Sequence, residues 1–201
     1  MKPGIVFFDF DGVIVDSFAA AFAVNKLIHP LITEEIYRKR FEGNINDSAE
    51  EESLKETRND HVDFFAEYEP RLMQCPVFPT TKDVIASASK DRVLIIISST
   101  TTDLIEKFLA LHGIGDHFAE VMGNDVHKSK IAKIGMALAR YGADAPDCVF
   151  ITDTLGDIKE AHHMNVPTIA VTWGYQSGET LGKGAPSSIV STPKELMQAL
   201  A

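Results

Sequence analysis

Apolar residues gather in four short runs rich in β-branched side chains: Ile5–Phe8, Val93–Ile97, Val149–Ile151 and Thr168–Val171. Such unbroken apolarity predicts strands covered on both faces, as in a parallel sheet. Glu120–Met122 and Ser188–Val190 are weaker strand candidates. Between the runs the period changes. Thr102–His112 carries Leu104, Ile105, Phe108 and Leu109 at helical spacing, and Gly113 supplies the stop. Ser129–Tyr141 does the same with Ile131, Ile134 and Leu138, ahead of Gly142. Thr192-Pro193-Lys194-Glu195 forms a capping box that opens a final helix. The β-α alternation from Val93 onward predicts a doubly wound, Rossmann-like α/β core with a mostly parallel sheet.

One interval breaks the alternation. No strand pattern occurs between Ile14 and about Thr80, where Phe18–Leu27, Glu34–Phe41 and Val62–Leu72 read as helices. An acid-rich stretch, Asp47–Asp60, lies among them and suits a solvated surface. The expected organisation is a core of residues 1–16 and 80–201, with a small all-α unit at 17–79 inserted after the first strand. A connection that long in a compact domain is usually functional.

Composition narrows the function. The 201 residues carry 19 Lys and Arg against 29 Asp and Glu, a formal net charge of −10. That excess disfavours non-specific nucleic-acid binding, which needs clustered cations. No apolar run approaches the roughly 18 residues of a membrane span. Met1-Lys2-Pro3-Gly4 passes directly into the first strand, which does not read as a signal peptide. Two cysteines, Cys75 and Cys148, are too few for a disulfide scaffold. A cytoplasmic protein, monomeric or homodimeric, with no nucleic-acid or membrane partner, is expected.

The chemistry sits at the predicted strand ends. In Asp9-Phe10-Asp11-Gly12-Val13 a strand delivers two carboxylates two residues apart, so they can share one side. Ligands of open α/β sheets bind at that edge. Close carboxylates repel unless a cation or a shared proton intervenes, and Mg²⁺ suits an oxygen-rich site. Alone, Asp-x-Asp equally describes a strand running into a turn. Ser98-Ser99-Thr100 places hydroxyls between the second strand and a helix start, which suits a phosphate cradle or a plain cap. Lys128 and Lys130 flank Ser129 where the helix dipole disfavours a cation, a placement that makes sense if one reaches an anion. Thr152-Asp153-Thr154-Leu155-Gly156-Asp157 again ends a strand in an acid, with a second acid four residues on. Helix capping explains Asp157 but not acids at two strand ends.

These four ordered motifs resemble the haloacid dehalogenase-like hydrolase superfamily, specifically phosphatases related to phosphoglycolate phosphatase. Asp9-Phe10-Asp11-Gly12-Val13 resembles its first motif and Ser98 its second. Asp153 and Asp157 resemble its fourth, with Thr152 in place of the usual glycine. Thr172-Trp173-Gly174-Tyr175 resembles the segment after the fifth strand. The third motif lacks its frequent Lys-Pro. Lys130 fits the form of members without the proline, and Lys128 is the alternative.

The resemblance implies a Mg²⁺-dependent phosphatase that hydrolyses a small phosphorylated metabolite through an aspartyl-phosphate. Asp9 would be the nucleophile, and Asp11 the acid for the leaving alcohol and then the base for water. Ser98, Ser99 and Lys130 would bind the phosphate. Mg²⁺ would be held by Asp9, the Asp11 carbonyl and Asp153, with Asp157 acting through water. Dehalogenases lack the second acid, so Asp11 favours phosphoryl transfer. A sugar-phosphate mutase and a non-catalytic phospho-accepting or binding module are the alternatives. A Schiff-base chemistry would need an insert lysine such as Lys26. The insert corresponds to the family's cap, with Asn25, Arg38, Arg40 and the Phe41-Glu42-Gly43-Asn44 turn as candidate contacts that equally suit a solvated face.

Overall fold

The structure, a computed structural model, describes residues 4–45, 52–79 and 81–200. Its sheet has six strands: β1 Ile5–Phe8, β2 Val93–Ile97, β3 Glu120–Met122, β4 Val149–Thr152, β5 Thr168–Val171 and β6 Ser188–Val190. Their spatial order is β3-β2-β1-β4-β5-β6, and every pairing is parallel. The two weak candidates, β3 and β6, are the edge strands. An edge strand is covered less completely, which is why Glu120 and Ser188 interrupt their apolar pattern.

Side-chain alternation sorts the sheet into two faces. Ile5, Phe7, Ile95, Ile97 and Phe150 pack with Ile134, Ala137 and Ala161, which belong to helices α7 (Lys130–Tyr141) and α8 (Leu155–His163). Val6, Phe8, Leu94, Ile96 and Ile151 pack with Val84, Leu104, Phe108 and Leu196. Those residues come from helices α5 (Thr81–Ala88), α6 (Thr102–His112) and α10 (Pro193–Ala199), the last of which follows the short α9 (Gly178–Gly182). The predicted stops hold: Gly113 and Gly142 end α6 and α7 in the left-handed conformation.

The insert after β1 contains α1 (Phe18–Ile28), α2 (Glu34–Lys39) with a 3₁₀ turn at Arg40–Glu42, α3 (Glu52–Lys55) and α4 (Phe64–Leu72). Helix α4 starts two residues later than its apolar pattern suggests. Asp63 accepts the Phe65 and Ala66 N–H groups at 2.9 and 3.1 Å and fixes the boundary. Residues 55–60 of the acid-rich stretch are exposed, and 47–51 lie outside the described residues. The insert joins the core where Val15 bridges Val77 and the Phe78 N–H reaches the Ile14 carbonyl at 3.0 Å. One apolar cluster runs through this junction, from Phe10, Val13 and Ile14 into Val24, Tyr37, Tyr68 and Leu72. Helix α5 was not expected from the sequence; with α10 it covers the sheet.

Candidate active site

Register brings the strand-end residues together. Phe8 of β1 lies opposite both Ile96 of β2 and Ile151 of β4. Asp9, Ser98 and Asp153 therefore leave one sheet edge, beside the reversal of strand order between β1 and β4. The Asp9 N–H donates to the Ile151 carbonyl at 2.9 Å, which ties the nucleophile candidate to β4.

Lys130, the first residue of α7, is almost fully buried. Its Nζ lies 2.9 Å from Asp9 Oδ2 and 2.6 Å from Asp157 Oδ2. Burial pulls an ammonium's pKa down, but the charges of Asp157 and Asp9 outweigh it and hold Lys130 above the usual lysine range. Asp157 shows the complementary effect. Burial pushes it up, yet Lys130 and hydrogen bonds with Asp9, Lys130 and Thr152 hold it below the usual carboxylate range. Asp9 is pushed well up, by burial first and then by Asp157 and Asp153, against the pull of Lys130. Lys128 is exposed and does not line the cavity.

Ser98 is buried, and its Oγ accepts the Thr100 N–H at 3.0 Å, which leaves the hydroxyl proton to donate. Ser99 lines the cavity and is half-buried. The Asp11 carboxylate is held by three hydroxyls. Ser17 Oγ donates to Oδ1 at 2.7 Å, Thr100 Oγ1 to Oδ2 at 2.7 Å, and Tyr68 of α4 donates to Oδ1 from the insert.

Asp153 faces the close-packed Gly12 turn. Gly12 has φ +76°, and a Cβ there would fall 2.0 Å from Asp153 Oδ2. That oxygen accepts the Tyr175 N–H at 2.6 Å, whereas Oδ1 is buried with no hydrogen-bond partner. Burial pushes the Asp153 carboxyl up to about 7, with the Asp157 charge adding to it.

Asp9 and Asp157 thus share the Lys130 ammonium, and a third buried carboxylate, Asp153, keeps one orphaned oxygen. This donor set fits a hard divalent cation. Among the described residues no three acidic, His or Cys side chains form a ready-made ligand cluster. Asp157 Oδ2 is taken by Lys130 and by Thr152 at 2.7 Å. Asp9, Asp153 and the Asp11 carbonyl would be left to hold such a cation directly, which suits one that keeps several waters.

The site forms one end of a cavity of about 320 Å³ between core and insert. Asp9, Asp11, Ser98, Ser99, Lys130 and Asp157 line the core side. The seam is closed by Lys159 Nζ on the Glu42 carbonyl at 2.8 Å and Asn44 Nδ2 on Glu160 Oε1 at 3.1 Å. Gly156 makes the approach possible, since a Cβ there would lie 2.2 Å from the Gly43 oxygen. Gly156→Ala is expected to hold the seam open and lower kcat/KM on the order of ten- to a hundredfold. Steady-state kinetics beside a melting curve checks this; undiminished kcat/KM would remove the seam from the catalytic cycle.

A family model for haloacid dehalogenase-like hydrolases matches residues 6–171. The chain belongs to this family. Among curated relatives of this hydrolase, a phosphoglycolate phosphatase from Synechococcus elongatus is 25% identical over 205 residues, covering 97% of this chain and 96% of its own. A phosphoglycolate phosphatase from Vibrio parahaemolyticus is 23% identical, covering 98% and 96%. The solved structure of a haloacid dehalogenase-like family hydrolase from Streptococcus pneumoniae superposes with a TM-score of 0.80 at 20% identity, covering 100% and 99% of the two chains. This hydrolase thus shares the full architecture, insert included.

Several residues around the site were not singled out by the motifs. Lys133 is fully buried one turn past Lys130, and its Nζ donates to the Ser98 carbonyl at 2.5 Å and the Gly123 carbonyl at 3.2 Å. Burial, then the like charge of Lys130, brings it down to about 8. Glu160 Oε1 accepts the Lys130 N–H at 3.1 Å, fixing the start of α7. Helical spacing was the available signal for both: Lys130 to Lys133 and Asp157 to Glu160 are three apart. Thr100 stood in the hydroxyl run. Tyr68 had no local signal. Lys26 is exposed beside the Phe22 ring, outside the cavity lining. Trp173 packs on Phe78 and Val13 at the junction of core and insert.

Proposed function

We propose that this hydrolase is a phosphatase acting on a small phosphoric monoester through a phosphorylated Asp9. The observation that carries the reading is the buried Asp9–Lys130–Asp157 arrangement that lines one cavity together with Ser98. Asp9 supplies a carboxylate oxygen that attacks phosphorus in line while the P–O bond to the leaving alcohol breaks. Lys130 orients that carboxylate and offsets charge on the transferring group, and the Ser98 hydroxyl donates to one of its oxygens. Asp11 gives a proton to the leaving alkoxide and then takes one from the water that cleaves the aspartyl-phosphate. Its hydroxyl partners Ser17, Thr100 and Tyr68 can each donate or accept, so they accommodate both forms.

Mg²⁺ is the proposed cofactor, with Asp9, Asp153 and the Asp11 carbonyl as its holders. Bound there, it supplies positive charge that lessens repulsion between a carboxylate nucleophile and a phosphate dianion. Its binding is testable without turnover. Asp153 has a folded-state value of about 7 against an ordinary 3.8. A raised acid of this kind contributes stability below about pH 4 that is lost as pH rises through about 7. The cation-free protein is therefore expected to lose stability across that window. Mg²⁺ should restore it, by about 2.7 kcal/mol at a hundredfold excess over Kd. Thermal unfolding should show a larger Mg²⁺ effect at pH 8 than at pH 5, and none in Asp153→Asn. An equal effect in the variant would move the cation elsewhere.

Release of phosphate from p-nitrophenyl phosphate with Mg²⁺, followed by a screen of phosphorylated metabolites, tests the activity directly. Multiple turnovers support an enzyme. A single stoichiometric phosphorylation would identify a phospho-accepting module, and no reaction would leave a binding module.

A further inference from the structure

The cavity extends beyond what the phosphate chemistry uses. Its far side belongs to the insert and is lined by Tyr37, Phe41, Phe64 and Phe65. Among these rings sits Arg40, on the 3₁₀ turn after α2. Its Nη1 donates to Asn25 Oδ1 at 3.3 Å, and Asn25 is itself buried and anchored by Nδ2 on the Ala21 carbonyl at 3.0 Å. The Arg40 Nε is buried with no hydrogen-bond partner. Most other arginines stand against a carboxylate: Arg38 on Glu34, Arg58 on Asp60, Arg71 on Glu67 and Arg140 on Glu120. Arg40 has none among the described residues, although acids exceed bases by ten in the chain.

A guanidinium that lines a cavity with its Nε unpaired and no carboxylate beside it among the described residues is costly unless a ligand offsets its charge, and its planar fork suits a carboxylate or a phosphate. The transferred phosphate already has Ser98 and Lys130 on the core side of the cavity. The space between is walled by rings, and about 320 Å³ exceeds what a phosphorylated two-carbon acid fills. We infer that Arg40, oriented by Asn25, is a specificity residue for a second anionic group, and that the substrate is a phosphomonoester whose leaving alcohol bears that anion on an apolar or aromatic body. This rests on the phosphatase reading and adds the class of substrate to it.

Matched aryl phosphates test the inference. 4-(Carboxymethyl)phenyl phosphate and 4-ethylphenyl phosphate have similar size and leaving groups and differ by one charge. Wild type should favour the carboxylated ester by about ten- to a hundredfold in kcat/KM, the range of a charge-assisted contact. In Arg40→Gln that ratio should fall to about one, with part of it retained in Arg40→Lys. The ratio is read within one protein, so a general loss of activity does not imitate it. A wild-type ratio near one overturns the inference and needs no variant. A ratio unchanged in Arg40→Gln, or an equal loss on both esters there, shows that Arg40 reads no second anion and overturns it too. Faster turnover of 2-phosphoglycolate than of the carboxylated aryl ester would overturn the aromatic body. If wild type hydrolyses none of these, nor p-nitrophenyl phosphate, the phosphatase reading fails instead.

Discussion

Asp9→Asn is expected to lower kcat by about a thousandfold or more while the protein stays folded. An amide has no ionised oxygen to attack phosphorus, and removing a covalent nucleophile leaves only the acceleration due to binding and positioning. The stability effect should run the other way. Burial, then the charges of Asp157 and Asp153, holds the Asp9 carboxyl well above its ordinary range. Such a group contributes stability below about pH 4 that is lost as pH rises through its folded-state value. Asparagine cannot ionise and escapes that loss. Without divalent cation at pH 8, the variant should therefore melt no lower than wild type. Paired kinetics and melting curves decide it: retained turnover refutes Asp9 as nucleophile, and a lower melting temperature refutes the account of its burial.

The lysine comparison has the next largest effect. Lys130→Met removes the ammonium shared by Asp9 and Asp157 and leaves both carboxylates buried without a counter-charge. Breaking a buried pair in this way costs about 3–5 kcal/mol, on the order of 10 °C in a domain of this size. Activity should fall with it, because the same ammonium orients the nucleophile. The direction with pH is defined. Lys130 has a folded-state value above its ordinary 10.5, so its contribution is present across the working range and lost only at higher pH. In the variant the two carboxylates can protonate on acidification, so its deficit should be larger at pH 8 than at pH 5. Lys128→Ala, at an exposed position, should stay within about 0.5 kcal/mol of wild type and keep its activity. Equal behaviour of the two variants would dissolve the distinction.

The motifs pointed to the core side of the site because its residues are fixed by short-range pattern. Asp9, Ser98 and Asp153 each follow an apolar run, and parallel strands in register must release their next residues at one edge. Lys130 was separable from Lys128 only by resemblance at that level. The fold separates them physically: position 130 starts α7 facing Asp9, and position 128 faces outward.

The insert was legible as a set of helices, and as a cap only through the family resemblance; which of its side chains wall the cavity was legible only in part. Tyr68 lies 57 residues from Asp11 in the chain, and no period or cap signal links them. Arg40 looked as much like a solvated helix end as a binding residue. What distinguishes it is the absence of a carboxylate opposite it among the described residues, a fact about neighbours from other elements.

Local patterning thus determined the strands, most helix boundaries and the carboxylates at the sheet edge, because hydrophobic period, caps and parallel pairing act over a few residues. The tertiary structure decided which lysine is buried, how Asp11 is held and which insert residues face the cavity. Those depend on how a separate helical unit packs across the sheet edge, where contacts between distant residues set burial and charge balance.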